Sequence, residues 1–161
     1  MSIYQQILVA VDGSAASEKA LDEAIRIARL TGARMRLIHV VNEVNYAVGL
    51  EPVLCYVDEI IPMMRAAGKE LLEKCQQKAQ AHGVSADTVL VEGGISRIYE
   101  HVAEQARRAH ADLIVVGSHG RRGVGRVLLG SDAELIIRHA PVPVLVVRAG
   151  NAPVGPHQAP G

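Results

Sequence analysis

The chain has 161 residues and a mass of 17.2 kDa, the size of one compact domain with a substantial core. It carries 17 Lys and Arg against 17 Asp and Glu, and it has four Tyr but no Phe or Trp. A neutral chain with few aromatic rings lacks the positive surface and the stacking platforms of nucleic-acid-binding proteins, so general DNA binding and single-strand binding are excluded as leading functions.

The start of the chain, Met1 to Gln6, lacks the basic and apolar regions of a signal peptide. No uncharged apolar stretch reaches the length that spans a membrane. The two cysteines, Cys55 and Cys75, are too few for a disulfide framework and form no CxxC arrangement. These features predict a cytoplasmic protein with reduced thiols and without a membrane partner.

The first part of the chain is predicted to form a strand, a helix and a second strand. Ile7 to Val11 is a continuous apolar run of the kind that a strand buried on both faces needs, and Asp12 to Ser14 is typical of a turn. Apolar residues then recur at helical spacing up to Thr31, with Gly32 as the predicted C′ residue. Arg34 to Val41 becomes apolar and β-branched, which indicates the second strand.

The remaining chain continues the alternation of strands and helices. Helices are predicted near Met63 to Ala81, Ser96 to Ala109 and Ser131 to His139, and strands near Thr88 to Glu92, Leu113 to Gly117 and Val142 to Val147. Such alternation predicts an α/β fold, an open five-stranded parallel sheet with helices on both faces. Residues 1–149 are expected to form the domain, and the Pro- and Gly-rich residues 150–161 a flexible tail.

The segment 42–62 is longer than the usual loop between a strand and a helix. It contains several large apolar side chains, among them Tyr46, Leu50, Leu54 and Tyr56. This apolar content favours packing against the same subunit or a partner over a ligand lid. The conformation of the segment is not predicted by the sequence.

The loop after the fourth predicted strand carries the strongest chemical signal. Between Gly117 and Gly130 it is rich in glycine, which lets backbone N–H groups approach anionic oxygens. Ser131 has Glu134 three residues on, a capping-box pattern that places the positive end of a helix at the same position. A phosphate site beyond the carboxyl ends of the strands is one interpretation, and a turn with a simple cap is the alternative.

Standard motifs for catalysis and metal binding are incomplete. Gly125 to Ser131 has Walker A glycine spacing without the lysine, and Gly123-Val-Gly125 has no third glycine at position 128. Ser118 fails the GxSxG pattern because Val116 occupies the first glycine position. No metal-ligand spacing is formed by the histidines His39, His82, His101, His110, His139 and His157. The sequence therefore predicts no catalytic residue and no metal site built by the protein alone.

Several segments together resemble the universal stress protein family. They are Ile7 to Ser14, Val116-Gly-Ser-His-Gly120, Leu128-Leu-Gly-Ser131 and Pro143 to Val147, and the resemblance covers residues from about 3 to 148. The spacing Gly117-x2-Gly120-x9-Gly130-Ser131 is similar to that of the ATP-binding members of the family. The resemblance implies a Rossmann-like fold, similar to the adenine nucleotide alpha hydrolases, with strand order 3-2-1-4-5.

The same resemblance implies an ATP site. It places Asp12 beside the ribose or adenine, Ala10 and Val40 against the adenine, and around the phosphates a larger group consisting of Val116, Gly117, His119, Gly120, Gly130, Ser131 and Asp132. Ala10 departs from the pattern, because some ATP-binding members have proline there, and a ring-packing contact would be weaker. Mg²⁺ is implied only as the companion of the phosphates. Arg121, Arg122 and Arg126 are expected to stay solvated rather than to reach the phosphates.

The resemblance implies a nucleotide-dependent regulator or stress-response module. It implies a homodimer formed through the edge strand 142–147 and an unknown downstream protein partner. A slow ATPase or nucleotide-processing enzyme stays open, because Asp12 could orient water towards a phosphate, although no acceptor site for phosphoryl transfer is evident. A nucleotide-free interaction module, in which the glycine loop serves folding alone, also stays open.

Overall fold

The computed structural model of the protein describes residues 2–42, 59–94, 96–119 and 129–150. Within these ranges strands and helices alternate in the order β1 (Gln6–Ala10), α1 (Ala15–Thr31), β2 (Arg34–Val41), α2 (Ile61–Ala81), β3 (Ala86–Glu92), α3 (Ile98–Arg108), β4 (Leu113–Gly117), α4 (Ser131–His139) and β5 (Val144–Val147). The predictions for the segment 42–62 and for the tail 150–161 fall almost entirely outside the described residues.

The described strands form one sheet in the order β3-β2-β1-β4-β5, and every neighbouring pair is parallel. The predicted fold class and strand order are therefore confirmed. The chain leaves β1 towards β2 on one side, whereas β4 lies on the other side, so the strand order reverses between β1 and β4. In open parallel sheets this reversal opens a crevice at the carboxyl ends of the strands.

The sheet is covered on both faces. One apolar cluster joins Val9 and Leu37 to residues of α1 and α2, and the other joins Leu8 and Ile38 to residues of α3 and α4. Leu8 and Val9 have no exposed surface although they face opposite sides. The continuous apolar run of β1 is thus explained, because alternate side chains must serve two different cores.

Helix α1 is defined by specific residues at both ends. The Ser14 side chain accepts a hydrogen bond from the Ser17 N–H at the N-terminus. At the C-terminus Gly32 adopts φ 74°, and its N–H donates to the Ala28 carbonyl. The predicted role of Gly32 is confirmed, since a left-handed residue at this position strongly favours glycine.

Strand β5 begins later than predicted. The prediction starts at Val142, whereas the strand covers Val144–Val147. Pro143 still contributes to the sheet, because its carbonyl accepts a hydrogen bond from the Ile114 N–H at 2.9 Å. Proline has no N–H to donate, so regular pairing starts only after it.

No helix in the described ranges combines the length and the apolar character that crossing a bilayer requires.

Candidate functional site

Two loops meet at the carboxyl edge of the sheet where the strand order reverses. One follows β1 and contains Asp12 to Ser14, and the other follows β4 and begins with Ser118 and His119. The Ser14 hydroxyl donates to the His119 carbonyl at 3.3 Å, across 105 positions of sequence. We call this meeting point the β1/β4 edge. It brings the predicted ribose residue Asp12 close to the predicted phosphate residue His119.

The β1 loop holds Asp12 in a fixed, partly buried position. Its N–H donates to the Ser17 hydroxyl at 3.0 Å, and its Oδ1 accepts from the Ser14 N–H at 2.9 Å. The residue before it is also fixed, because Nδ1 of the buried His39 lies 2.7 Å from the Val11 carbonyl oxygen. A carbonyl only accepts, so Nδ1 of His39 carries the proton. The Asp12 carboxylate is thus held in place before any ligand arrives.

Ser118 connects three parts of the β4 side of the edge. Its N–H donates to the Val147 carbonyl at 2.8 Å, and its carbonyl accepts from the Gly130 N–H at 2.7 Å. Its hydroxyl lies 3.0 Å from Nδ1 of His119. Ser118 is only 3% exposed, so these hydrogen bonds are shielded from water. The motifs of the sequence address Ser118 only as a nucleophile, and no local motif signals this connecting role.

Two predicted site glycines allow close backbone approach. A Cβ on Gly117 would lie 2.8 Å from the Ala16 carbonyl carbon, and one on Gly130 would lie 3.0 Å from the Ser118 carbonyl oxygen. Gly130 has φ −62°, which any residue adopts, so the close contact alone favours glycine there. Both glycines therefore have a packing requirement besides any role in ligand binding. Gly120 lies outside the described residues, as do Arg121, Arg122 and Arg126.

The predicted capping box at the start of α4 is wrong. Gly130 is the N-cap, in extended conformation, while Ser131 is already the first helical residue. No side chain of the described residues caps this end, and the Glu134 carboxylate instead accepts from Arg138 at 2.8 Å. A capping serine would have to occupy the extended position that Gly130 takes. The first N–H groups of α4 are thus left without a side-chain cap, an arrangement that suits an anion.

The apolar part of the site lies on the sheet face that α3 and α4 cover. Ala10 and Val40 are partly exposed at the ends of β1 and β2 and contact the same apolar cluster. Val116 is different, because it is only 3% exposed and belongs to the core. Its side chain is therefore not accessible to a ligand, and a contact from Val116 would have to come from the backbone.

The carboxylates of Asp12 and Asp132 interact electrostatically across the β1/β4 edge. The pKa of Asp132 is raised, first because neighbouring protein atoms displace water from its carboxylate and second because Asp12 is negatively charged. No sequence pattern indicates this interaction, since Asp12 and Asp132 lie far apart in the chain. Among the described residues no group of three or more His, Cys, Asp or Glu is arranged to hold a metal ion.

A cleft of about 440 Å³ lies at the opposite, amino edge of the sheet, lined in part by Arg29, Arg34 and His82. Both α1 and α2 end here, so the cleft faces the negative ends of two helix dipoles. His82 Nδ1 lies 2.8 Å from the Lys78 carbonyl, which fits a role in completing α2. The basic residues of this cleft thus complement the negative carboxyl ends of α1 and α2.

Comparison with known proteins points to one family. The model described as "Universal stress protein family" matches residues 3–148. The chain is 37% identical over 147 residues to Universal stress protein MJ0531 of Methanocaldococcus jannaschii, covering 91% of this chain and 84% of that protein.

Solved structures of similar proteins agree with this match. The universal stress protein UspA of Lactobacillus plantarum has a TM-score of 0.77 at 27% identity, covering 90% of this chain and 98% of that one. A universal stress protein of Archaeoglobus fulgidus, solved in complex with dAMP, has a TM-score of 0.62 at 26% identity, covering 90% and 98%.

Proposed function

Because the chain belongs to the universal stress protein family, we propose that it is a cytoplasmic, ATP-binding regulator or stress-response module that works as a homodimer. Nucleotide binding changes its conformation or its association with a downstream protein. It acts through binding rather than through dedicated catalysis, because Ser118, whose hydroxyl contacts His119 at the β1/β4 edge, is only 3% exposed and cannot reach a second substrate.

The observation that carries the proposal is the uncapped start of α4 beside the β4 loop. Gly130 brings this helix end within hydrogen-bond distance of Ser118, and no side chain occupies the cap position. N–H groups that no described side chain caps, together with the positive end of the helix dipole, favour phosphate oxygens. The dAMP complex of the A. fulgidus relative supports an adenine nucleotide as the molecule whose phosphate oxygens bind here.

The opposite side of the site suits an adenosine. Ala10 and Val40 offer partly exposed apolar surface for the adenine ring. Asp12, held by Ser14 and Ser17, supplies a carboxylate that accepts hydrogen bonds from ribose hydroxyl groups. Adenosine and phosphates therefore bind on the two sides of the same edge, Ala10, Val40 and Asp12 on one and His119, Gly130, Ser131 and Asp132 on the other.

The carboxylate pair makes Mg²⁺ a fitting companion of the phosphates. Asp12 and Asp132 repel each other and would also repel a triphosphate. Mg²⁺ is commonly held by one or two carboxylates together with phosphate oxygens and water, and it removes both repulsions. Asp132, near the start of α4, is the residue best placed to share the ion with the phosphates.

Asp132→Asn should reduce the dependence of ATP binding on Mg²⁺. With one negative charge removed, we expect affinity for metal-free ATP to rise about two- to tenfold, in line with loss of one like-charge contact. Without ligand, Asp132→Asn should also be slightly more stable than the wild type at neutral pH. Because the pKa of Asp132 is raised in the folded protein, the wild type is relatively more stable below the ordinary carboxyl pKa, and this advantage is lost as pH rises through the raised value.

Calorimetric titration with and without Mg²⁺ measures the first effect, and thermal melting from about pH 3 to about pH 7, a range that begins below the ordinary Asp pKa, measures the second. Glu134→Gln is the matched control, because Glu134 lies in the same helical turn but pairs with Arg138. Equal Mg²⁺ dependence in the wild type and in both variants would contradict the assignment of Asp132.

Identification of the molecule that co-purifies with the protein tests the proposed function most directly. We expect mass spectrometry of the acid extract to show ATP or another adenine nucleotide. Absence of any nucleotide, together with no heat change on titration with ATP and Mg²⁺, would favour the nucleotide-free interaction module. Timed release of ADP would instead favour the slow ATPase.

The proposed homodimer uses β5, which lies at the edge of the described sheet. The Pro143 carbonyl accepts from Ile114 of β4 and the Val147 carbonyl from Ser118 just after β4, so alternate residues of β5 face inward. The backbone of Val146 therefore faces the open edge. Antiparallel pairing of this edge with a second copy hides both edges and closes the assembly.

Val146→Pro should convert the dimer to a monomer while leaving β4 pairing intact, because the proline removes an outward N–H. Val146→Lys should do the same by placing a charge beside the two-fold axis. Leu145→Pro is the contrasting variant, since it breaks the inward pairing and should lower the melting temperature strongly. Sedimentation velocity checks the prediction, and a monomeric wild type or a dimeric Val146→Pro protein would contradict it.

A further inference from the structure

The His119 side chain leaves one polar atom without a partner. Its Nδ1 lies 3.0 Å from the Ser118 hydroxyl oxygen, whereas its Nε2 is buried and has no hydrogen-bond partner among the described residues. A buried ring nitrogen without a partner lowers stability, so such atoms are rare unless a ligand satisfies them. His119 also contacts the β1 loop, because its backbone carbonyl accepts a hydrogen bond from the Ser14 hydroxyl.

The Ser118 hydroxyl determines which ring nitrogen carries the proton. The hydroxyl is buried, and within the described chain Nδ1 of His119 is the acceptor recorded for it. A buried hydroxyl needs an acceptor for its proton, so it donates to Nδ1. A neutral imidazole whose Nδ1 accepts must carry its proton on Nε2. The unpartnered atom is therefore an N–H donor.

We propose that Ser118 is a positioning residue that keeps His119 in the Nε2–H form, and that this N–H donates to a phosphoryl oxygen of the bound nucleotide. This inference rests on the proposed function, and it adds the atom and the tautomer that recognise the phosphates. The Ser118 backbone fixes the geometry, because its N–H bonds to β5 and its carbonyl bonds to Gly130. The donor thus has both its direction and its proton set before the ligand binds.

A phosphoryl oxygen is the acceptor that best fits this donor. The start of α4, which no side chain caps, is held next to Ser118 by the Gly130 N–H bond at 2.7 Å. An anion bound there would lie among N–H donors from the β4 loop and from the start of α4. Ribose is the weaker candidate, because its hydroxyl groups find their acceptor in the Asp12 carboxylate.

Nitrogen-15 NMR of the histidine side chains tests the tautomer in the free protein. We expect one pyrrole-type signal for Nε2 and one pyridine-type signal for Nδ1, assigned to His119 by their loss in His119→Gln. Ser118→Ala should broaden or shift these signals towards a tautomer mixture, and Ser118→Thr, which keeps the hydroxyl, should restore them. A free protein whose His119 carries the proton on Nδ1 would overturn the inference.

Titration with ATP and separately with inorganic tripolyphosphate tests the acceptor. We expect both to shift the His119 Nε2 proton. His119→Ala should weaken both by about tenfold or more, and Ser118→Ala by about three- to tenfold, with a smaller effect on adenosine. Each variant is compared with the wild type by circular dichroism and by melting, so that loss of the fold is recognised.

The outcomes separate this inference from the proposed function. If tripolyphosphate shifts the His119 signal while ATP binds no better and adenosine does not bind, the nucleotide proposal fails and the phosphoryl contact stands. If ATP binds tightly while the His119 signal and the two variants are unaffected, the nucleotide proposal stands and this inference is overturned.

Discussion

Gly130→Val should abolish the stabilisation that Mg²⁺ and ATP give the folded protein. Even a Cβ at this position would lie 3.0 Å from the Ser118 carbonyl oxygen and 3.4 Å from the His119 Cα. The branched side chain must push the start of α4 away from the β4 loop. The N–H groups of these two elements, which are proposed to bind the phosphates together, would then be separated. For the wild type, ligand at about 100 times its dissociation constant should add about 2.7 kcal/mol to the free energy of unfolding.

Thermal melting with and without ligand measures this shift, and calorimetry compares ATP with adenosine. Gly130→Val should lose far more affinity for ATP than for adenosine. Asp12→Ala should weaken both ligands alike, because it removes the sugar contact that they share. Gly120→Val, at the second glycine of the family spacing, should behave like Gly130→Val.

Each variant must first show a native circular dichroism spectrum and a cooperative melt. Gly130→Ala gives an intermediate test, because only one carbon is added and the neighbouring carbonyl has to move by a few tenths of an ångström. Undiminished ATP binding in a folded Gly130→Val protein would remove this loop from the site.

Gly117→Ala should lower the free energy of unfolding by about 3 kcal/mol, the upper end of the range for adding bulk to a packed interior. The new Cβ would lie 2.8 Å from the Ala16 carbonyl carbon and 2.9 Å from the Ser17 nitrogen. Backbone atoms cannot rotate out of the way, so α1 must move off β4. For a domain of this size the melting temperature should fall by about 6–12 °C.

Two further variants show whether steric contact is the cause. Adding Ala16→Gly to Gly117→Ala should restore little stability, because it removes only one of the three contacting atoms and leaves both backbone contacts. Gly32→Asn should be tolerated, because Gly32 has φ 74° with open space around it and Asn adopts this conformation more easily than other residues. A stable Gly117→Ala protein would contradict the close packing of α1 on β4.

The sequence by itself determined the fold and the family. The apolar run of β1 predicted a strand buried on both faces. The alternation of strand and helix patterns along the chain predicted the parallel sheet. These features are local, because side-chain periodicity follows directly from backbone geometry within one element. The resemblance to the family added the strand order and the expected nucleotide residues, and the order is confirmed.

The tertiary structure alone decided how the site residues relate to one another. Ser131 and Glu134 have the spacing of a capping box, yet Gly130 takes the cap position because its close contact with Ser118 sets where α4 begins. Ser118 reaches β5 and His119, and Asp132 interacts with Asp12 across the edge. Hydrogen bonds, steric contacts and charge interactions depend on distance in space, which a pattern of neighbouring residues does not encode.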